Sequence, residues 1–126
     1  MGGRTTVIVV NSKQRQAIYL LLAVVGLIGC WYFNFQWFGA PGSHSAKAFS
    51  EAMFANSASS SVGWDITFGG VAAAIFIVVE GSRIKMRMPW LYVVLFFVVA
   101  MAFALPLFLA MRERQLDRNT ASAASA

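Results

Sequence analysis

Three apolar stretches, over residues 16–38, 64–80 and 89–111, constrain this chain more than any other feature. A bilayer's hydrocarbon core is about 30 Å thick and takes roughly 20 helical residues at about 1.5 Å each. The first and third stretches reach that length, and the second is marginal. The expected fold is therefore all-α, with three transmembrane helices and a short amphipathic surface helix in the first loop. That surface helix falls over residues 45–56, where Ala46, Phe49, Met53 and Phe54 recur at helical spacing and Lys47, Ser50 and Glu51 take other positions. Residues 1–15 read as a polar lead-in, 16–116 as one membrane domain, and 117–126 as a disordered tail.

Charge supports the same class. Only 12% of the residues are charged, about half the share of roughly 25% in a soluble domain. Three spans in 126 residues leave no room for a separate soluble catalytic domain. The net charge of +5 sits beside the apolar stretches, so anionic lipid headgroups are the expected counter-charge and nucleic acid is not. Arg4, Lys13, Arg15, Arg83, Lys85 and Arg87 outnumber Lys47, Arg112, Arg114 and Arg118. The positive-inside rule then predicts a multi-pass membrane protein with a cytoplasmic N-terminus and a cytoplasmic 81–89 link. The C-terminus is expected outside, although the basic tail opposes this. A cleaved signal peptide is disfavoured, because Trp31-Tyr32-Phe33 is a poor approach to a small-residue cleavage site. Met1-Gly2 with Thr6 fits the myristoylation pattern only as a short match. Cys30, the sole cysteine, reads as a buried and inert thiol.

Trp31, Tyr32, Trp37, Trp64, Trp90 and Tyr92 lie at the ends of the stretches, where amphipathic rings anchor at headgroup depth. In the second stretch Gly69, Gly70, Ala72, Ala73 and Ala74 form a thin helix-packing face, and the bulk of Phe76 is expected to end the close approach. Ser57 to Ser61 reads as a hinge. Pro106 lies inside the third stretch and leaves the carbonyl of Ala102 without its usual donor, which predicts a kink there.

Chemistry-bearing residues are few. Asp65 and Glu80 are the catalytic candidates, because acids at a membrane span are functional candidates by default. Their 15-residue separation amounts to about 22 Å along a helix, so they cannot serve one substrate atom together. Structural roles suit both: Asp65 at a helix start, and Glu80 in an ion pair with Arg83. Asn34 and Gln36 suit either interhelical hydrogen bonds or headgroup contacts, with the headgroup favoured for Gln36. His44 has no second ligand nearby, so no metal site is expected. No cofactor is expected either; a bound lipid, carotenoid or quinone would have only the aromatic belt to touch.

The run Gly63-Trp64-Asp65, then Val79-Glu80-Gly81 with Arg83, Pro89-Trp90, and Ala104-Leu105-Pro106-Leu107-Phe108-Leu109 before Arg112-Glu113-Arg114, resembles one family. It is similar to the domain of unknown function 2834 group of small bacterial membrane proteins, over about residues 18–116. The resemblance implies a small bacterial integral membrane protein without an assigned activity. Some relatives carry a terpene cyclase label. The preferred expectation is a non-enzymatic accessory or packing subunit, with membrane lipids and other membrane subunits or a second copy as partners. The alternative is a terpene-cyclase-like enzyme on an isoprenoid lipid, with Asp65 or Glu80 alone as proton donor. A transporter subunit would want polar groups at mid-membrane, and that zone is apolar.

Overall fold

In a computed structural model, residues 10–41 and 45–126 are described. The expectations for Arg4, for Gly2 and Thr6, and for His44 fall outside them. Helix α1 (Ser12–Gly39) starts where Asn11 and Gln14 close a capping box. Asn11 Oδ1 accepts from Gln14 N at 2.9 Å, and Gln14 Oε1 accepts from Asn11 N at 3.1 Å. Those reciprocal bonds start the helix four residues before the expected Gln16.

Helix α2 (Ala46–Met53) is capped by Ser45 Oγ, which accepts from Ala48 N at 3.2 Å. It is shorter than expected, ending before Phe54. Phe49 on α2 meets the Trp37 ring edge-on at 5.7 Å and stacks on Phe38 at 6.2 Å. The apolar side of α2 thus leans on the end of α1.

Helix α3 (Ser57–Arg83) absorbs the expected hinge as its first turn. Asn56 Oδ1 accepts from Ala58 N and Ser59 N, both at 3.0 Å, and so satisfies helix-start donors that water would otherwise take. Helices α1 and α3 are long and apolar enough to cross a membrane. At about 1.5 Å per residue each runs roughly 40 Å, beyond the hydrocarbon core of about 30 Å.

The third apolar stretch is not one continuous helix. It divides into α4 (Trp90–Val98) and α5 (Met101–Ala124), with Ala100 fully extended between them. The amides of Val99 and Ala100 both bond the Leu95 carbonyl, at 2.9 and 3.2 Å, and close α4. Helix α5 then folds back beside α4, bringing Phe108 against the Tyr92 ring at 5.5 Å. With α4 only about 13 Å long, the pair makes a helical hairpin that reaches part of the way along α1 and α3. The expected kink at Ala102 is replaced by this break, and the helix continues through Pro106.

Helix α1 supplies what the break lacks. The indole Nε1 of Trp31 donates to the Val99 carbonyl at 3.1 Å. The Ala102 carbonyl, freed by Pro106, lies against Gly26, where any Cβ would collide with its oxygen and carbon. Only glycine permits that approach, which has the character of a Cα–H···O contact. Trp31→Phe removes the donor and keeps a ring. We expect a loss of about 1 kcal/mol in micelle unfolding, and an unchanged midpoint would show that this bond does not secure the break.

Helix α5 packs along α1 in the opposite sense: Asp117 meets Ser12, Glu113 meets Arg15, and Ala102 meets Gly26. The backbones of α1 and α3 stay apart, and the hairpin joins them. The core is Ile77, Phe96, Ala104 and Phe108, with Phe76 and Tyr92 edge-on to Phe108. The break also corrects the expected topology. Because α5 returns, the segment bearing Arg112, Arg114 and Arg118 shares an end with the start of α1 and the 84–89 link, not the opposite side. The expected disordered tail is helical to Ala124, tied down by Asn119 Nδ2 donating to the Ile84 carbonyl at 3.0 Å.

Candidate functional site

At that shared end, five charged side chains from three helices form one continuous chain. Glu80 and Arg83 come from the last turns of α3, Arg112 and Glu113 from the middle of α5, and Arg15 from the start of α1. Arg83 donates to both Glu80 oxygens, at 2.7 and 2.8 Å. Arg112 reaches Glu80 Oε1 from Nε at 2.8 Å and from Nη2 at 2.7 Å, and turns its Nη1 to Glu113 Oε1 at 3.4 Å. Arg15 closes the chain with two bonds to Glu113 Oε2, at 3.0 and 2.7 Å. Beside it Asp117 accepts from Ser12 Oγ at 2.6 Å and Gln16 Nε2 at 3.0 Å.

Both carboxylates are 7% exposed. A carboxylate so placed is costly unless it is paired and hydrogen-bonded, and here every carboxylate oxygen has a guanidinium donor. The arrangement therefore clamps α1, α3 and α5 at fixed register. It presents no carboxylate edge to a substrate. Sequence spacing marks Glu80 with Arg83 but misses Arg15, Arg112 and Glu113, because a straight third span puts Arg112 at the far side from Arg15. The basic tail that opposed the charge count was the available signal.

Asp65 lies elsewhere. It sits in the third turn of α3, exposed, and among the described residues its side chain has no hydrogen-bond or ion-pair partner. The helix-start role expected of it belongs to Asn56. The packing face of α3 overlaps the expected one only in part. Gly63, Gly70, Ile77 and Ile84 are buried at seven-residue intervals. A Cβ on Gly70 would stand 3.2 Å from the Phe96 ring, and one on Gly81 would collide with Pro89. Ala73 packs on the core and Ala74 is half-buried. Gly69 and Ala72 face outward, Gly69 into open space, and Phe76 is partly exposed while touching Phe108. At about 100° per residue, a one-position offset is enough to turn a small residue away from its neighbour.

The aromatic anchors divide by partner. Tyr32, Trp64 and Trp90 are exposed, with Trp64 stacked on Phe68 at 5.2 Å. Trp31, Trp37 and Tyr92 instead hold contacts between elements. Above the tip of the hairpin, Cys30, Phe33, Asn34, Phe49 and Ile66 border a mostly apolar cavity of about 460 Å³. Cys30 is half-buried, not fully buried as expected, and Asn34 faces the cavity while Gln36 is exposed. Among the described residues no acid lines this space. Among the described residues no three His, Cys, Asp or Glu side chains come together to hold a metal.

The family described as "Protein of unknown function DUF2834" matches residues 18–114. The match takes in four members of the charged chain and leaves out Arg15. No curated protein matches, and no solved structure matches.

Proposed function

The chain belongs to the DUF2834 family, and from that premise we propose that it is a non-enzymatic integral membrane protein serving as an accessory subunit. The observation that carries this reading is the charged chain: its two buried carboxylates are consumed in holding helices together. A cyclase would need an acid facing its substrate, and the apolar cavity contains none. Helices α1 and α3 cross the bilayer, the α4–α5 hairpin dips into it, and the basic end faces the cytoplasm of a bacterial inner membrane. Of the basic residues described, Lys47 alone belongs to the other end, so the positive-inside rule favours that orientation.

The outward side of α3, with Gly69 and Ala72, is the surface offered to another membrane helix, since small residues let backbones approach closely. Mild detergent extraction followed by native mass measurement tests this. The expected result is an assembly heavier than one chain, reduced by Gly69→Leu. A monomer from the parent sequence, or an assembly unchanged by Gly69→Leu, would overturn the subunit reading. Asp65→Asn is expected to leave the cell's isoprenoid lipids unchanged, and an altered profile would restore the enzyme.

A further inference from the structure

We propose that the basic end carries a binding pocket for a phosphate group, built by Arg87, Arg114 and Arg118. The pocket has a volume of about 150 Å³, and Gln115, Tyr92, Met86 and Met111 also line it. Arg114 and Arg118 are four residues apart on α5 and so project on one side of the helix. Arg87 comes from the link that follows α3.

Charge left over points to an anionic ligand. Arg15, Arg83 and Arg112 are all spent on carboxylates, whereas among the described residues Arg87, Arg114 and Arg118 have no ion-pair partner. Three arginines that line one pocket and form no ion pair match the planar, multidentate recognition of phosphate oxygens. The start of the link is set by the end of α3: Lys85, with φ 59°, is the left-handed residue of the helix's C-terminal cap, its amide bonded to the Ser82 carbonyl at 3.1 Å and that of Met86 to the Gly81 carbonyl at 2.8 Å.

Location bears on the source of the phosphate. The pocket lies where α4 begins, beside Trp90 and Tyr92, at the depth of headgroups in the membrane placement proposed above. An acidic phospholipid would set its phosphate among the arginines and its glycerol against Met86 and Met111. The pocket itself rests on the residues alone; the lipid source rests on the membrane placement.

The experiment uses the full chain in uncharged detergent. Native mass spectrometry counts retained phosphatidylglycerol against phosphatidylcholine, and a parallel titration uses inorganic phosphate. We expect phosphatidylglycerol to be retained preferentially. Retention should weaken about tenfold in Arg114→Gln with Arg118→Gln, as losing charge-assisted bonds requires, and should also fall in Arg87→Gln. Lys13→Gln removes the same charge at the same end without touching the pocket, and should retain lipid as the parent does. Arginine-dependent binding of inorganic phosphate without lipid preference would keep the site and assign it to a soluble phosphate compound. Equal loss in Lys13→Gln and Arg87→Gln, or equal retention of both lipids together with no arginine-dependent phosphate binding, would overturn the proposal. Neither outcome bears on subunit assembly, which the extraction experiment reads separately.

Discussion

Replacing Phe108 by alanine should cost about 3–5 kcal/mol, the usual range for emptying a buried phenylalanine site. Phe108 is 0% exposed. Its ring receives Phe76 and Tyr92 edge-on, at 5.9 and 5.5 Å, so α3, α4 and α5 meet on one side chain. A Cβ on Gly81 would stand 3.5 Å from that ring, which leaves little slack for the neighbours to collapse into the cavity. Association within a membrane draws on packing more than on the hydrophobic effect, so lost contacts are felt directly. Thermal unfolding in micelles measures the effect. Phe97, 70% exposed on α4, is the control, and Phe97→Ala should change stability by less than about 0.5 kcal/mol. Equal losses in the two variants would mean that the hairpin is not packed as described.

Arg112→Leu should follow with a loss of about 3 kcal/mol. Arg112 is the central link of the charged chain and serves both buried acids. Without it Glu80 retains Arg83 and Glu113 retains Arg15, but α3 and α5 lose their direct ionic connection. Part of the loss is the cost of carboxylates left short of donors, which predicts a diagnostic non-additivity. Adding Glu80→Leu to Arg112→Leu should recover stability, since a buried charge group replaced together by apolar residues is often neutral or better. A further loss in the double variant would show that Glu80 does something beyond pairing.

The helices were legible in the sequence because hydropathy and caps are local. Apolar runs placed α1, the core of α3 and the α4–α5 region, and the Ala46, Phe49, Met53 spacing placed α2. The fold-back at Val99–Ala100 was not legible. Pro106 announced a missing donor at Ala102, but the break also depends on Trp31 and Gly26, some 70 residues earlier in the chain. No local pattern links them. The site shared that fate: Glu80 with Arg83 follows from a three-residue spacing, while Arg15 and Glu113 are 98 residues apart and meet only because α5 returns. Of the expected packing face of α3, Gly70 and Ala73 meet the hairpin while Gly69 and Ala72 turn outward; the two glycines are chemically identical, and only the neighbour they meet tells them apart.

The fold-back also bears on how the polypeptide enters a bilayer. In the arrangement proposed, only the short stretch joining α1 to α3 has to be carried across the lipid. Its single lysine and single glutamate, Lys47 and Glu51, approach to 3.8 Å and cancel in charge. The strongly cationic segments never make that journey, so translocation works against almost no electrical barrier.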